Sequence, residues 1–364
     1  MSASRYIGIM SGTSLDAADA ALVEFDGNQA SLIATNSIPY TLELRQSLLE
    51  LHHASPNELE KTAVVSNQLA SLYADVVNQL LADASITKSE VMAIGSHGQT
   101  IRHRPELGFT IQIGNPALLA ELTEMTVVAD FRSRDIAAAG QGAPLVPAFH
   151  QSVFAHPNIN RVIINIGGIA NLSSLPTTGE VIGFDSGPGN MLMDAWAERN
   201  IGKRYDENGN WAASGKIIPE LLNQLLADPY FNTAPPKSTG RDLFNLAWLE
   251  QYLATCYQAQ DVQRTLLEFS VISIADAIKV YCPDTQEIYL CGGGAHNHAL
   301  FQGLQHCLHP VKIGLSNELG IDINWVEAAA FAWLAKQRLS NNPGNLPAVT
   351  GASGPRILGA VYAS

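Results

Sequence analysis

Tyr6-Ile-Gly-Ile-Met-Ser-Gly-Thr-Ser-Leu-Asp16, with the apolar run Ala20-Ala-Leu-Val23 behind it, and Arg161-Val-Ile-Ile-Asn-Ile-Gly-Gly-Ile-Ala-Asn171 share one pattern. Each is a short apolar strand, a tight turn of Gly and small polar residues, and a returning strand. Gly leaves the N–H groups of such a turn open to a bound anion, and hydroxyl side chains add further donors. Two such turns, each opening about half of the 364-residue chain, predict two similar domains that hold one phosphate chain from opposite sides.

Composition supports this division and excludes one class of partner. At ~150 residues per domain, the length predicts two domains. Hydrophobic residues make up 46% of the chain and charged residues only 15%, as in ordinary globular proteins. The net charge of −13, with no run of Lys or Arg, argues against nucleic-acid binding. A nucleotide held by backbone N–H groups and a divalent cation is still compatible with that charge.

The cysteines and the apolar runs predict a cytoplasmic protein without a membrane segment. None of the four cysteines belongs to a CxxC pair, which favours buried thiols in a reducing compartment. We find no signal peptide before the first strand and no apolar run of transmembrane length.

Strands alternate with helical segments along the chain, which predicts an α/β fold with sheets covered on both faces. The Ala-, Gly- and Pro-rich segment Ala137–Pro147 is interpreted as a domain crossover, and Arg356–Tyr362 as a last strand that returns to the first domain. We therefore expect one domain from residues 1–135 with 340–364, and a second from 136–339. A single long helix is expected between Leu246 and Tyr281.

Three Gly-rich turns, at 11–16, 167–171 and 292–294, each follow a strand. Ligands of open α/β sheets bind at the carboxyl ends of strands, so these turns predict a phosphate site. The alternative, that the glycines serve only tight turns, explains one such turn better than it explains three. Neither GxxxxGK(S/T) nor an early GxGxxG is present, which argues against a P-loop and a dinucleotide fold. The predicted phosphate-binding glycines in the second half are Gly167, Gly168, Gly292, Gly293 and Gly294.

Asp185 lies in the most distinctive motif, Gly183-Phe-Asp-Ser-Gly-Pro-Gly-Asn190, directly after an apolar run. A carboxylate on a rigid turn between glycines can approach a ligand closely, and the helix predicted to begin at Asn190 would favour its ionised form. These features predict a general base. The alternative is a turn or N-cap aspartate.

Three other acidic residues stand out. Glu327 is the only charge between Ile323 and Ala335, so it is either a buried acid with a partner or a first-turn glutamate favoured by the helix dipole. Asp16 and Asp19 follow the first turn, where a carboxylate could hold Mg²⁺ through water. Their alternative is a turn-capping aspartate with a solvated neighbour.

Polar residues after two other strands predict contacts with a substrate. His97, Gln99 and Thr100 follow one strand, and Arg132 lies in Asp130-Phe-Arg-Ser-Arg-Asp135 after another. The second cluster is either a surface ion-pair ladder or a clamp for a substrate carboxylate. A zinc site at His296 and His298 is the weaker interpretation of that pair, because no third ligand accompanies them.

Taken together, the motifs resemble those of the anhydro-N-acetylmuramic acid kinase family, in family order from the first strand to the last. The matching stretches are Ile7-Gly-Ile-Met-Ser-Gly-Thr-Ser-Leu-Asp16, Ser96-His-Gly-Gln-Thr100, Asp130-Phe-Arg-Ser-Arg-Asp135, Asn165-Ile-Gly-Gly-Ile-Ala-Asn171, Gly183-Phe-Asp-Ser-Gly-Pro-Gly-Asn190, Cys291-Gly-Gly-Gly-Ala-His-Asn297 and Val349-Thr-Gly-Ala352. One position departs from the family pattern: Ala17 stands where Gly usually follows the aspartate of the first turn.

The resemblance implies the fold of the sugar kinase, heat-shock ATPase and actin superfamily: two related ribonuclease H-like domains with ATP in the cleft between them. It implies that Asp185 is the catalytic base and that Glu327 belongs to the sugar site. It also implies that the first turn binds the ATP phosphates and Mg²⁺, the metal through Asp16; the residues concerned are Gly12, Thr13, Ser14, Asp16 and Asp19. The implied partners are a small sugar substrate and a second copy of the chain in a homodimer.

The implied reaction opens the 1,6-anhydro ring of anhydro-N-acetylmuramic acid with water and phosphorylates the 6-oxygen. Its products are N-acetylmuramic acid 6-phosphate and ADP, in the recycling of cell-wall peptidoglycan. Two alternatives are a chaperone-like ATPase of the same superfamily and a metal-dependent transferase that uses His97 with another histidine.

Overall fold

The chain forms two compact units in a computed structural model that describes residues 3–12 and 15–364. The first unit combines the chain up to Val153 with Trp325–Ser364, and the second consists of Phe154–Asn324. Among the described residues, no helix combines the length and the hydropathy needed to cross a bilayer.

The strands are β1 (Ser4–Ser11), β2 (Ala17–Asp26), β3 (Gln29–Pro39), β4 (Val91–Ser96), β5 (Gln99–Arg104), β6 (Phe109–Ile113), β7 (Val127–Ala129), β8 (Arg161–Ile166), β9 (Ile169–Leu175), β10 (Ile182–Pro188), β11 (Glu287–Cys291), β12 (Lys312–Leu315) and β13 (Ala360–Tyr362). The helices are α1 (Leu42–Glu50), α2 (Glu58–Ala84), α3 (Pro116–Thr123), α4 (Ser133–Ile136), α5 (Val146–Phe154), α6 (Met191–Ile201), α7 (Asn210–Ala213), α8 (Pro219–Leu226), α9 (Leu246–Glu250), α10 (Ala259–Tyr281), α11 (His298–Cys307), α12 (Val326–Leu339) and α13 (Pro347–Thr350).

The main sheet of the first unit has the order β13-β7-β4-β1-β2-β3. Strands β1, β2 and β3 form an antiparallel meander, β4 is parallel to β1, and β7 is parallel to β4. The short β13 pairs antiparallel with β7, so the end of the chain returns to this unit as expected, although the strand covers only three residues of the predicted seven. Strands β5 and β6 form a separate hairpin.

The sheet of the second unit repeats this arrangement in the order β10-β9-β8-β11-β12. Strands β8, β9 and β10 form an antiparallel meander, and β11 and β12 follow parallel to β8. The five strands match β3-β2-β1-β4-β7 of the first unit in order and direction. This duplication confirms the predicted fold class of two related α/β domains with ribonuclease H-like sheets.

The bounds of the two units differ from the predicted domain bounds at both points where the chain passes from one unit to the other. The sequence placed the helix before residue 340 in the second domain, whereas α12 packs on β1, β2 and β4 of the first unit. The first crossing lies after Val153, within α5, and not before residue 136. The single long helix expected between Leu246 and Tyr281 is in fact two helices, α9 and α10, separated by residues 251–258.

Two glycines on neighbouring strands allow α12 to lie directly on the sheet. Gly8 of β1 and Gly95 of β4 are register partners. A Cβ added to Gly8 would lie 1.8 Å from the carbonyl oxygen of Ala328, and one added to Gly95 would lie 2.0 Å from that of Phe331. The side chains of Ile7 and Ile9, on either side of Gly8, join the hydrophobic core that includes residues of α2 on the other face. The sheet is therefore covered on both faces, as the sequence predicted.

We predict that Gly8→Ala destabilises the first unit, because the new methyl group meets helix backbone, which cannot rotate away. The expected loss in the free energy of unfolding is at least ~2 kcal/mol, within the range for overpacked cores. Urea unfolding followed by circular dichroism measures it. Gly240→Ala is the matched control, since nothing lies within 4 Å of a Cβ built there. Equal stability of Gly8→Ala and the unmodified protein would contradict the proposed contact.

Candidate active site

In the first unit, the half-buried Arg132 and the buried His97 form a pair after β7 and β4. Nε and Nη2 of Arg132 lie 3.2 and 2.9 Å from Nε2 of His97, and Nη1 donates to the carbonyl oxygen of Gly142 at 2.8 Å. Because the guanidinium only donates, Nε2 must accept, which leaves the imidazole proton on Nδ1. Burial and the neighbouring Arg132 lower the pKa of His97 to about 3, so this histidine is neutral.

Glu327 lies in the first turn of α12 and interacts electrostatically with Arg132. Burial raises the pKa of Glu327 above its ordinary value, Arg132 opposes that shift, and Asp19 adds to it. Burial lowers the pKa of Arg132 to about 10, against the fields of Glu327 and Asp135. Both interpretations of Glu327 from the sequence therefore describe part of its setting: it is a first-turn glutamate, and it has a half-buried cationic partner.

The first Gly-rich turn ends in two neighbouring carboxylates. Gly12 accepts a hydrogen bond from the N–H of Leu15 at 3.2 Å, and Leu15 has a φ of +57°. Thr13 and Ser14 lie outside the described residues. Asp16 is exposed, and Asp19 accepts from the Ser37 hydroxyl at 2.6 Å.

These carboxylates suit Mg²⁺, which is usually held by one or two carboxylates together with water and phosphate oxygens. The pKa of Asp19 is raised by burial and by the charge of Asp16, although the Ser37 hydrogen bond opposes the shift. A divalent cation would relieve that repulsion. In residues 3–12 and 15–364, no three His, Cys, Asp or Glu side chains converge on a metal position.

Gln99 has different surroundings from those that a substrate contact requires, whereas Thr100 stays partly accessible. Gln99 has no exposed surface, and its Oε1 accepts from the Ser11 hydroxyl, which also contacts the Tyr40 hydroxyl. Its contacts thus support the end of β1, and a sugar could not reach it in this arrangement. Thr100 is half-buried and accepts from Nε2 of Gln112 at 3.1 Å.

In the second unit, a β-bulge sets the direction of Asp185. On β10, Asp185 faces Asn171 of β9, but Gly187 faces Ala170, so Ser186 is the additional residue. Bulges of this kind redirect side chains and are frequent beside active sites. Asp185 itself remains half-buried.

A distant segment, residues 230–239, holds Asp185 through its backbone N–H, its carbonyl oxygen and the carboxylate oxygen Oδ2, and we call this segment the strap. The Tyr230 hydroxyl donates to the carbonyl oxygen of Asp185 at 2.7 Å, and the N–H of Asp185 donates to the carbonyl oxygen of Lys237 at 3.1 Å. The N–H of Thr239 donates to the carboxylate oxygen Oδ2 of Asp185 at 2.9 Å. These three strap residues could not be found from the sequence, since no local pattern links them to a motif 45–54 residues earlier.

Burial raises the pKa of Asp185 to about 6, against the opposing effects of the Thr239 N–H and of Lys237. Tyr230 is the other titratable neighbour, and its own pKa is raised by burial and by Asp185, so it remains a neutral donor. An aspartate with these properties is ionised at neutral pH yet basic enough to accept a proton. The arrangement suits a general base.

The sequence suggested that the N-terminus of the helix after Asp185 favours the ionised carboxylate. The structure does not support this. The N–H groups of Gly189, Asn190 and Met191 at the start of α6 donate to the carbonyl oxygens of Gly167 and Gly168, at 2.8–3.1 Å. These donors are therefore occupied by the second Gly-rich turn. Burial, which acts in the opposite direction, dominates the pKa of Asp185.

The second and third Gly-rich turns lie side by side at the ends of β8 and β11, which are neighbouring parallel strands. A Cβ on Gly292, which has a φ of +81°, would lie 2.2 Å from Oδ1 of Asn165, and one on Gly294 would lie 2.3 Å from Cγ2 of Ile166. Gly293, with nothing within 4 Å of a built Cβ, and Gly168 are exposed, while Gly167 is half-buried.

A cavity of about 500 Å³ adjoins the third turn and is lined by Asn208, Ala295, His296, His298, Phe301 and Leu315. The two histidines have separate partners. Nε2 of His296 lies 2.9 Å from Oδ1 of Asn324, and Nε2 of His298 lies 2.9 Å from Nε2 of Gln302. Their surroundings give no support to the zinc interpretation.

We predict that the carboxyl group of Asp185 titrates near pH 6, because burial disfavours its charged form. Carbon-13 NMR of the side-chain carboxyl groups over pH 4–8 measures this, with Asp185→Asn as the variant that removes and thereby assigns the signal. A midpoint near 4, the ordinary value for aspartate, would show that the carboxylate is more solvated than described.

Comparisons with known proteins identify the family of this chain. The family model described as anhydro-N-acetylmuramic acid kinase matches residues 4–364. The chain is 58% identical over 359 residues to the anhydro-N-acetylmuramic acid kinase of Nitrosomonas europaea, covering 98% of this chain and 99% of that protein. It is 55% identical over 364 residues to that of Nitrosospira multiformis, covering 100% of both.

Among solved structures, the chain is similar to the activator of the 2-hydroxyisocaproyl-CoA dehydratase from Clostridium difficile with bound ADPNP, with a TM-score of 0.47, 10% identity and coverage of 93% of this chain and 96% of that one. A family match over nearly the whole length, together with relatives more than half identical, confirms the resemblance found in the motifs. The chain belongs to the anhydro-N-acetylmuramic acid kinase family.

Proposed function

We propose that this protein is an ATP-dependent kinase that opens the 1,6-anhydro ring of anhydro-N-acetylmuramic acid with water and phosphorylates the freed 6-oxygen. The observation that carries the proposal is the setting of Asp185. A half-buried carboxylate with a pKa near 6 is held at both backbone groups and at one carboxylate oxygen. Hydrolytic ring opening needs such a base, whereas simple transfer of a phosphoryl group needs mainly positioning and charge stabilisation.

The proposed reaction can be written step by step. Asp185 takes a proton from a water molecule whose oxygen attacks the anomeric carbon, and the bond between that carbon and the 6-oxygen breaks. The freed 6-oxygen takes the γ-phosphoryl group of ATP, and ADP leaves. Since Oδ2 of Asp185 already accepts the Thr239 N–H, we assign Oδ1 as the oxygen that receives the proton.

We propose further roles for residues of both units. The first turn, with Asp16 and Asp19, would hold phosphate oxygens and Mg²⁺, which neutralises developing charge on the transferred group. The pair of His97 and Arg132 would contact the sugar together with Glu327 and Thr100, while Gln99 supports that region from the core. The Gly-rich turns of the second unit would approach the nucleotide. A homodimer, a cytoplasmic location and a role in peptidoglycan recycling are predictions of the family resemblance.

The alternatives make different predictions. A chaperone-like ATPase would hydrolyse ATP without any sugar. A metal-dependent transferase would bind iron or zinc stoichiometrically, although Nε2 of His97 already accepts from Arg132. Elemental analysis and a sugar-free ATPase assay distinguish both from the proposed kinase.

We expect Asp185→Asn to lower turnover of anhydro-N-acetylmuramic acid by at least ~10²-fold, the lower range for a lost general base. The amide keeps the shape of the side chain but cannot accept the proton. A coupled ADP-release assay measures turnover, and calorimetry with a non-hydrolysable ATP analogue checks that nucleotide binding survives. A near-normal rate would show that this residue is not the base.

Chelation tests the proposed metal. Excess EDTA should abolish ADP release, and added Mg²⁺ should restore it, because the ATP phosphates and the carboxylates of Asp16 and Asp19 would repel one another without a cation. Unchanged turnover in EDTA would exclude a divalent cation from the reaction.

A further inference from the structure

Lys237 brings a positive charge to the surroundings of the base. Its Nζ donates to the carbonyl oxygen of Tyr230 at 3.2 Å and lies 4.6 Å from the centroid of the Tyr230 ring and 6.0 Å from that of Tyr281. The backbone of Lys237 accepts from the N–H of Asp185. The ammonium is thus anchored between two aromatic rings, on the segment that fixes the catalytic carboxylate.

This ammonium has hydrogen-bonding capacity left over. It carries three donors, of which one is directed at Tyr230. In the part of the chain that the structure describes, Lys237 has no carboxylate within 4.0 Å. Other cationic side chains have a carboxylate partner: Arg161 pairs with Glu287 at 2.9 Å, and Lys312 pairs with Glu318 at 3.1 Å. In a chain with 34 acidic and 21 basic residues, a half-buried lysine without such a partner is a candidate for binding an anionic ligand.

Arg132, the other cation considered for this role, is more fully engaged. Its guanidinium contacts His97 through two nitrogens and Gly142 through a third, and the field of Glu327 acts on it. A substrate carboxylate placed there would meet the charge of Glu327. Lys237 lies in the field of Asp185 in the same way, but its ammonium makes one hydrogen bond where the guanidinium makes three contacts, so Lys237 offers the freer cation.

We propose that Lys237 binds the carboxylate of the muramic acid substrate and thereby selects it over uncharged anhydro sugars. This inference rests on the proposed function, which supplies an acidic sugar. A charge-assisted hydrogen bond between ammonium and carboxylate gives both orientation and affinity. The positive charge also lies where it offsets repulsion between the substrate's carboxylate and the ionised Asp185.

The test compares anhydro-N-acetylmuramic acid with its methyl ester, which has nearly the same shape but no charge. We expect the unmodified protein to prefer the acid. In Lys237→Met, kcat/KM for the acid should fall by ~30-fold, as when one partner of a close charge pair is removed, and kcat/KM for the ester should change by less than ~3-fold. Lys237→Arg should retain most of the preference.

Exposed Lys216 provides the control, because Lys216→Met removes the same charge from the surface. Equal losses with acid and ester in Lys237→Met, which a purely structural role or an effect on Asp185 would produce, would overturn the proposal. So would an unmodified protein that does not discriminate between the two. Absence of turnover with both substrates in the unmodified protein is a separate result, since it would overturn the proposed function itself.

Discussion

The direct contact between the backbone of α12 and two glycine-bearing strands is the constraint on which the first unit depends. At Gly8 and Gly95 there is no space for even one methyl group between sheet and helix. The helix is correspondingly rich in alanine, and its residues from Ala328 to Ala335 are all buried. Because this contact fixes α12 on the strands, it also fixes where the helix begins, and therefore where Glu327 lies relative to Arg132. A packing requirement in the core thus determines the electrostatics of a proposed binding residue.

The second unit is under a different constraint. In its proposed role, the carboxylate of Asp185 has to be ionised and still basic enough to accept a proton. The bulge on β10 interrupts the regular ladder directly after Asp185, and burial raises the pKa of that residue. The strap lowers the free-energy cost of burying the charged carboxylate, because it supplies a hydrogen bond from the Thr239 N–H and the nearby ammonium of Lys237. Tyr230, which anchors the strap, is itself held among Phe231 and Phe244 with ring centroids 5.6 Å away. The segment that holds the proposed base is therefore itself positioned by an aromatic cluster remote from Asp185 in sequence.

The sequence predicted the features that are local. The strand and Gly-turn patterns at residues 6–16 and 161–171 were sufficient for two related α/β domains, since a turn and its flanking strands are encoded in a dozen residues. The predicted domain bounds were wrong because a helix that is apolar all round does not indicate which of the two sheets it covers. Contacts across 45–54 residues, such as those of Tyr230 and Thr239 with Asp185, leave no periodic trace in one sequence. Gln99 was assigned to the sugar on the basis of its motif, yet its motif position did not reveal that it is buried against Ser11.

In the proposed reaction, water activated by Asp185 attacks the anomeric carbon before or as the 6-oxygen accepts the phosphoryl group. Turnover in ¹⁸O-labelled water tests this most directly, with the product quenched before mutarotation and analysed by NMR and mass spectrometry. We expect one label per turnover in the anomeric hydroxyl, with inverted configuration at that carbon. Label in the phosphate group, or no label at the anomeric carbon, would contradict it.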